Sequence, residues 1–237
     1  MSDPTYPSYP GPAGPYPPAG PYPQPPVMAF SPLRPVRGLA IAAASLAGVF
    51  ALVQVVQAVL AWHAQNKILD ALHHDGDLDF WTPYDFMGLP YYSAAIAAYV
   101  VTCLWLYQAR ANVEIVRAGA HHARRKGWVW AGWVVPIVNL WFPYQVVRDI
   151  ATDPYQPSKT SSLLGWWWTA WLSSILFERF GPRILDAQIR QDLEAFSGLG
   201  PVETISAVLC VGALVLWLVI IRRITADQEA FAEVPRA

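Results

Sequence analysis

Residues 128–149 read Trp-Val-Trp-Ala-Gly-Trp-Val-Val-Pro-Ile-Val-Asn-Leu-Trp-Phe-Pro-Tyr-Gln-Val-Val-Arg-Asp. From Trp128 to Val147 the stretch carries no charge. It is long enough to cross the hydrocarbon of a bilayer, which takes about 20 residues as a helix. Pro136 and Pro143 interrupt it. Each proline removes a backbone donor, and its ring clashes with the carbonyl of the preceding turn. Carbonyls freed in this way need partners at membrane depth, where water is absent. Asn139, between the prolines, carries an amide that can supply them or cap a broken helix end. Two readings follow. The stretch is a single kinked span, because transmembrane helices tolerate proline, or it is a hairpin of two half-helices that enters and leaves on one side.

Lysine and arginine bear on that choice, because they concentrate on the cytoplasmic side of a membrane protein. A spanning segment gives five spans. With the amino terminus inside, ten Lys and Arg lie inside and six outside. A re-entrant segment gives four spans and both ends inside. Twelve then lie inside, and Lys67, Arg179, Arg183 and Arg190 lie outside. The re-entrant reading agrees better with the rule, and it places Arg222-Arg223 inside as a stop.

The rest of the chain fits a bilayer. It has 237 residues, 54% hydrophobic and 14% charged, against about 25% charged in ordinary soluble domains. Twelve tryptophans are many, and tryptophan favours membrane boundaries. The net charge of −1 offers no basic field for nucleic acid. Four further apolar segments flank the organising one, at about 38–62, 88–107, 161–178 and 204–221. The expected fold is an all-α integral membrane protein with four transmembrane helices and a proline-broken fifth segment, over residues 37–228. No cleavable leader is visible, so the first apolar run reads as an uncleaved anchor. In that run Ala40, Ala44 and Gly48 form a small-residue face suited to close helix approach. Gln54 and Gln57, its strongly polar interior groups, are expected to hydrogen-bond a neighbouring helix. Gly181 to Phe196 reads as a separate amphipathic helix, stopped by Gly198 and Gly200-Pro201.

The ends differ in character. Residues 1–35 form a Pro/Gly/Tyr-rich tail; 11 of the 22 prolines lie before Val27. Such composition favours extended polyproline conformations without a fixed core. It serves as a spacer or as a ligand for an aromatic-lined groove. Residues 229–237 read as a short polar tail.

Recognisable chemistry is scarce. There is no nucleotide-binding glycine loop, Gly-x-Ser-x-Gly, His-Glu-x-x-His or Cys-x-x-Cys. The loop from His63 to Met87 contains alternating acids from Asp75, but an EF-hand needs Gly and Glu where Phe80 and Phe86 stand. His121-His122 lacks further ligands nearby. Cys103 and Cys210, each inside an apolar run, read as packing residues. No acid or base falls inside the proposed spans, which argues against an ion-coupled transporter. No catalytic, cofactor-binding or metal-binding residue is assigned. Arg110 and Asn112 sit where the second span meets the cytoplasm; Arg110 is expected to snorkel to headgroups. The basic run Arg124-Arg125-Lys126 suits anionic lipid.

Several of these residues form a recognisable pattern. Arg110-Ala111-Asn112, Gly127-Trp128 and Trp133-Val134-Val135-Pro136-Ile137-Val138-Asn139-Leu140-Trp141-Phe142-Pro143 resemble the signature of a bacterial membrane protein family, found mostly in actinobacteria and catalogued as domain of unknown function 4328. Trp166-Trp167-Trp168-Thr169-Ala170-Trp171 and Arg222-Arg223-Ile224-Thr225-Ala226-Asp227-Gln228 are similar to it as well. The resemblance implies a bacterial plasma membrane location and no particular activity. Motif positions to follow are thus Arg110, Asn112, Trp133, Pro136, Asn139 and Pro143. The expected function is that of a non-enzymatic membrane scaffold or adaptor whose cytoplasmic Pro-rich tail recruits a protein partner. The alternative is binding or transport of a small molecule or lipid at the broken segment near Asn139, as discontinuous helices do in transporters.

Overall fold

A computed structural model describes residues 33–74, 76–116, 122–151 and 157–233, with the side chains of 157–161 and 233 excepted. The Pro-rich tail before Leu33 lies outside the described residues, as do Arg117 to His121 and the last four residues. Six α-helices occur in the described residues: α1 (Arg37–His73), α2 (Gly88–Val116), α3 (Trp128–Val134), α4 (Phe142–Ala151), α5 (Pro157–Ile189) and α6 (Leu199–Glu233). Short 3-10 turns at Pro83–Phe86, Val138–Leu140 and Leu193–Gly198 join them. No strand occurs among the described residues.

Three segments are long and apolar enough to cross a membrane: Arg37–His73, Pro83–Val116 and Leu193–Ala232. Their outward faces are apolar as well. On α1, Ile41, Leu52 and Val59 are each about 60% exposed, and on α6 Val208 is 65% exposed. Water would penalise apolar belts of that size; lipid does not. α5 is of similar length but is not among these apolar segments.

Helix α1 packs along α2 and α6, and α5 along α6. The buried stripe of α1 is Ala40, Ala43, Ala51, Gln54, Ala58, Ala61, Ala64 and Gln65. This differs from the expected Ala40, Ala44, Gly48 face. A Cβ on Gly48 would meet nothing within 4 Å. The 3.6-residue period carries the packed face from Ala40 through Ala43 to Ala51 and rotates Gly48 off it. Close approach occurs instead at Gly200, where a Cβ would run into the Trp62 ring.

Both ends of the helical domain lie at one end of the bundle, the basal end. There the backbone of Arg34 is bonded to Asn112 near the close of α2, and Asn112 to Gln228 near the close of α6. At the far end the Gly200 N–H donates to Gln65, and His73 contacts Glu194.

Several boundaries move from their expected places. α1 continues past Trp62 to His73, into the stretch read as a loop. Gly181-Pro182 does not start a new helix: Pro182 lies inside α5. The cost is the one bond Pro182 cannot donate, to the Glu178 carbonyl. Gly200-Pro201 does not act as a stop but stands in the first turn of α6, where a proline has no partner to lose. α6 also runs on through the stretch read as a polar tail, to Glu233.

Candidate functional site: a cavity behind the broken hairpin

The stretch that opens the sequence reading folds back on itself. α3 runs away from the basal end and α4 returns. Ala123 N–H donates to the Asp149 carboxylate at 2.6 Å, and Arg124 Nε to Gln145 Oε1 at 2.8 Å. Trp128 and Phe142 meet edge to face with ring centres 4.5 Å apart. Gly132 permits the approach; a Cβ there would stand 3.3 Å from the Phe142 Cβ. α3 is held to α2 through its backbone carbonyls, with Tyr99 Oη donating to Trp130 O at 3.0 Å and Cys103 Sγ to Val129 O at 3.3 Å.

The two prolines play unequal parts. Pro136 sits exposed in the turn, after α3 has ended at Val134. Pro143 is buried in the first turn of α4, where its missing N–H is harmless. The reversal itself is made at Ile137, with φ 66° and ψ −53°. Val138 N–H donates to Pro136 O at 2.7 Å across it, which is the rare, strained γ-turn. Positive φ in a β-branched residue is an outlier, and such strain gathers at functional sites.

Behind the hairpin lies a cavity of about 370 Å³. Its walls are Ala47 and Phe50 of α1; Tyr91, Ala95, Ala98, Tyr99 and Thr102 of α2; Trp133 and Asn139 of the hairpin; Trp167, Trp171, Ser174, Ile175 and Glu178 of α5; and Cys210, Ala213, Leu214 and Trp217 of α6. The volume falls in the range of small-molecule sites, about 300–1,000 Å³. Small residues on α1, α2 and α6 leave the space, and aromatic rings define it. Trp167 stacks on Trp217 with centres 4.8 Å apart, and Trp133 meets Trp171 edge to face at 6.1 Å. Asn139 is half-buried, and its side-chain amide makes no hydrogen bond among the described residues. It does not cap the broken helix; it lines the cavity.

The motif residues therefore divide. Trp133 and Asn139 line the cavity, while Pro136 and Pro143 shape the hairpin that carries them. Arg110 and Asn112 belong to the basal end. Arg110 does not reach outward: it is 6% exposed and its Nε bonds Glu114 at 3.1 Å, a carboxylate shared with Lys126 at 3.1 Å. Asn112, 1% exposed, accepts from Arg34 N and donates to Arg34 O, both at 2.9 Å. Its second amide hydrogen goes to Gln228 Oε1 at 2.9 Å, and Gln228 Nε2 in turn donates to Ala109 O at 2.9 Å.

Acidic groups also enter the bundle beside the uncharged part of α1, which corrects the expectation that its interior holds none. Gln54 Nε2 donates to Glu178 Oε1 at 3.2 Å, and Gln57 Nε2 to Glu203 Oε2 at 3.0 Å. Tyr84 Oη donates to Glu203 Oε1 at 2.7 Å. The helix partners expected for both glutamines are thus present. With carboxylates bonded to both glutamines, a lack of ionisable groups gives no ground against ion coupling. A signal for Glu178 was available: it follows Trp167, Trp171 and Ser174 on one helix face, at steps of four, three and four. No group of three or more His, Cys, Asp or Glu that could hold a metal ion occurs among the described residues.

A family model described as Domain of unknown function (DUF4328) matches residues 83–226. No curated protein and no solved structure matches the chain.

Proposed function

The chain belongs to the DUF4328 family, whose description assigns no activity, and we propose that it is a non-enzymatic membrane protein that holds a small, largely apolar molecule behind its broken hairpin. The observation that carries this reading is the cavity beside Asn139. It is bounded by four long helices and the hairpin, and its walls are mostly apolar, with seven aromatic rings among eighteen lining residues. A membrane location follows the three apolar helices. Native mass spectrometry of protein extracted from its own membranes tests the reading. A bound small molecule is expected on the wild type and absent from Ala98→Phe, which fills the space. A wild type that carries no guest, or an Ala98→Phe variant that keeps it, overturns the reading.

In the bilayer, α5 serves as a fourth span beside α1, α2 and α6. The hairpin enters and leaves on the side where both termini lie. The Ala123–Asp149 and Arg124–Gln145 bonds support this arrangement, and the lysine and arginine distribution makes that side cytoplasmic in a bacterial plasma membrane.

A second reading concerns the Pro/Tyr-rich tail, as a recruiter of protein partners. Asn112 favours it, because it grips the backbone of Arg34 and gives whatever precedes that residue a fixed root on the bundle. Deleting residues 1–30 from a fluorescent fusion is expected to change its clustering or its co-purifying partners; if both stay as they were, this role is refuted.

A further inference from the structure

We infer that the molecule held in this cavity is a lipophilic cation, with its charge against Glu178 and its apolar body along the tryptophan wall. The inference rests on the binding reading above and names the chemical class of the guest. Trp167, Trp171 and Glu178 share one face of α5. Eleven residues of helix place the carboxylate about 16 Å along the axis from the first indole. Glu178 is the single carboxylate among the described residues lining the cavity, and no lysine, arginine or histidine lines it.

The surroundings of that carboxylate leave a charge unanswered. Its partners are neutral donors, the Gln54 amide on α1 at 3.2 Å and the Tyr91 hydroxyl on α2. No lysine or arginine forms an ion pair with Glu178 or with Glu203 among the described residues. Glu203, on the adjoining helix, is likewise met by neutral donors, Gln57 and Tyr84. Glu178 is half-buried; a charge drawn out of water is costly unless paired, and a cationic guest supplies the pairing. An anionic guest would meet repulsion at the same point. A neutral one would leave the carboxylate as it is. The apolar remainder of such a guest matches the small and aromatic residues of α2 and α6.

The test uses full-length protein in lipid nanodiscs and two probes of one shape. One is (naphthylmethyl)trimethylammonium; the other is its neutral isostere, with carbon in place of nitrogen. Equilibrium dialysis against empty nanodiscs removes partition into lipid. The cation is expected to bind about tenfold or more tightly than the isostere, a preference that Glu178→Gln abolishes while leaving the isostere's affinity unchanged. Equal binding of the two probes to the wild type overturns the inference and leaves the cavity reading standing. Binding of neither probe above the empty-disc level overturns both. Should Glu178→Gln fail to fold, the ratio on the wild type decides alone.

Discussion

Replacing Asn112 by alanine releases the start of the helical domain from its end. The side chain makes three hydrogen bonds of 2.9 Å, two with the main chain of Arg34 and one with Gln228. The pair with Arg34 has the form of one rung of an antiparallel ladder, with the amide acting as the neighbouring strand. Each bond is worth about 1 kcal/mol net, and groups left buried without partners cost more. Losing the two bonds to Arg34 therefore weakens this attachment by about 2 kcal/mol, or about 30-fold in the local opening equilibrium. Gln108 Nε2 still holds Pro35 O at 2.9 Å, so the opening is confined to the residues before Pro35. Hydrogen exchange in detergent, read at the Arg34 amide and at the turn of α6 around Gln228, checks the figure. Arg34 is expected to exchange about 30-fold faster, while Trp105 and Trp217 in the middle of the bundle stay protected. Asn112→Asp is expected to do worse than alanine, because a carboxylate would face two acceptors, Arg34 O and Gln228 Oε1. An unchanged Arg34 amide in Asn112→Ala refutes the reasoning.

Three other perturbations follow from the same geometry. Ile137→Gly removes the positive-φ strain from a side chain that is 70% exposed. It is expected to raise stability by about 1 kcal/mol, seen as a higher Tm in detergent, and a lower Tm contradicts the strain. Gly200→Ala forces a Cβ against the Trp62 ring, whereas Gly48→Ala meets open space. The first is expected to cost about 1–3 kcal/mol and the second to be neutral in thermal unfolding; equal effects dispose of the close-approach argument. Cysteines introduced at Arg37, Ala151 and Ser197, with Cys103 and Cys210 replaced by serine, are expected to label from one side at the first two and from the opposite side at Ser197. Labelling of Ala151→Cys and Arg37→Cys from opposite sides ends the hairpin topology.

The helical domain was legible because its signals are redundant. Runs of uncharged residues fix α1, α2 and α6, and the pair of prolines around Asn139 marks the reversal. Boundaries were less legible because Pro182 and Pro201 have two meanings. A proline opens a first turn as readily as it interrupts a helix, and only neighbouring contacts decide which. The role of Arg110 was missed for a similar reason. An arginine at a helix end reads as headgroup-facing unless its acid is found, and Glu114 lay four residues on. Glu178 stands at the last position of the apolar segment 161–178, where a charge reads as the end of the run and not as a group facing the bundle. The amide of Gln54, 124 positions away, makes its inward place affordable, and no local pattern links the two. The cavity was legible only at its edges, in Asn139 between the prolines and in the Trp167, Trp171, Ser174 and Glu178 face of α5; its volume was not. It is a volume left by Ala95, Ala98 and Ala213 between rings from other helices, and it exists only once those helices are assembled.

The two glutamines of α1 set an order of events for biosynthesis. Gln54 leaves the ribosome 124 positions ahead of Glu178, and Gln57 is 146 positions ahead of Glu203. Until those partners are made, two amides wait among lipid chains with their hydrogen-bonding capacity unspent, a state that costs free energy. The last two helices are therefore drawn to a waiting first helix. The spacing of Gln54 and Gln57, one turn apart, lets each capture a different newcomer at a fixed height, so axial sliding by a turn breaks both links at once.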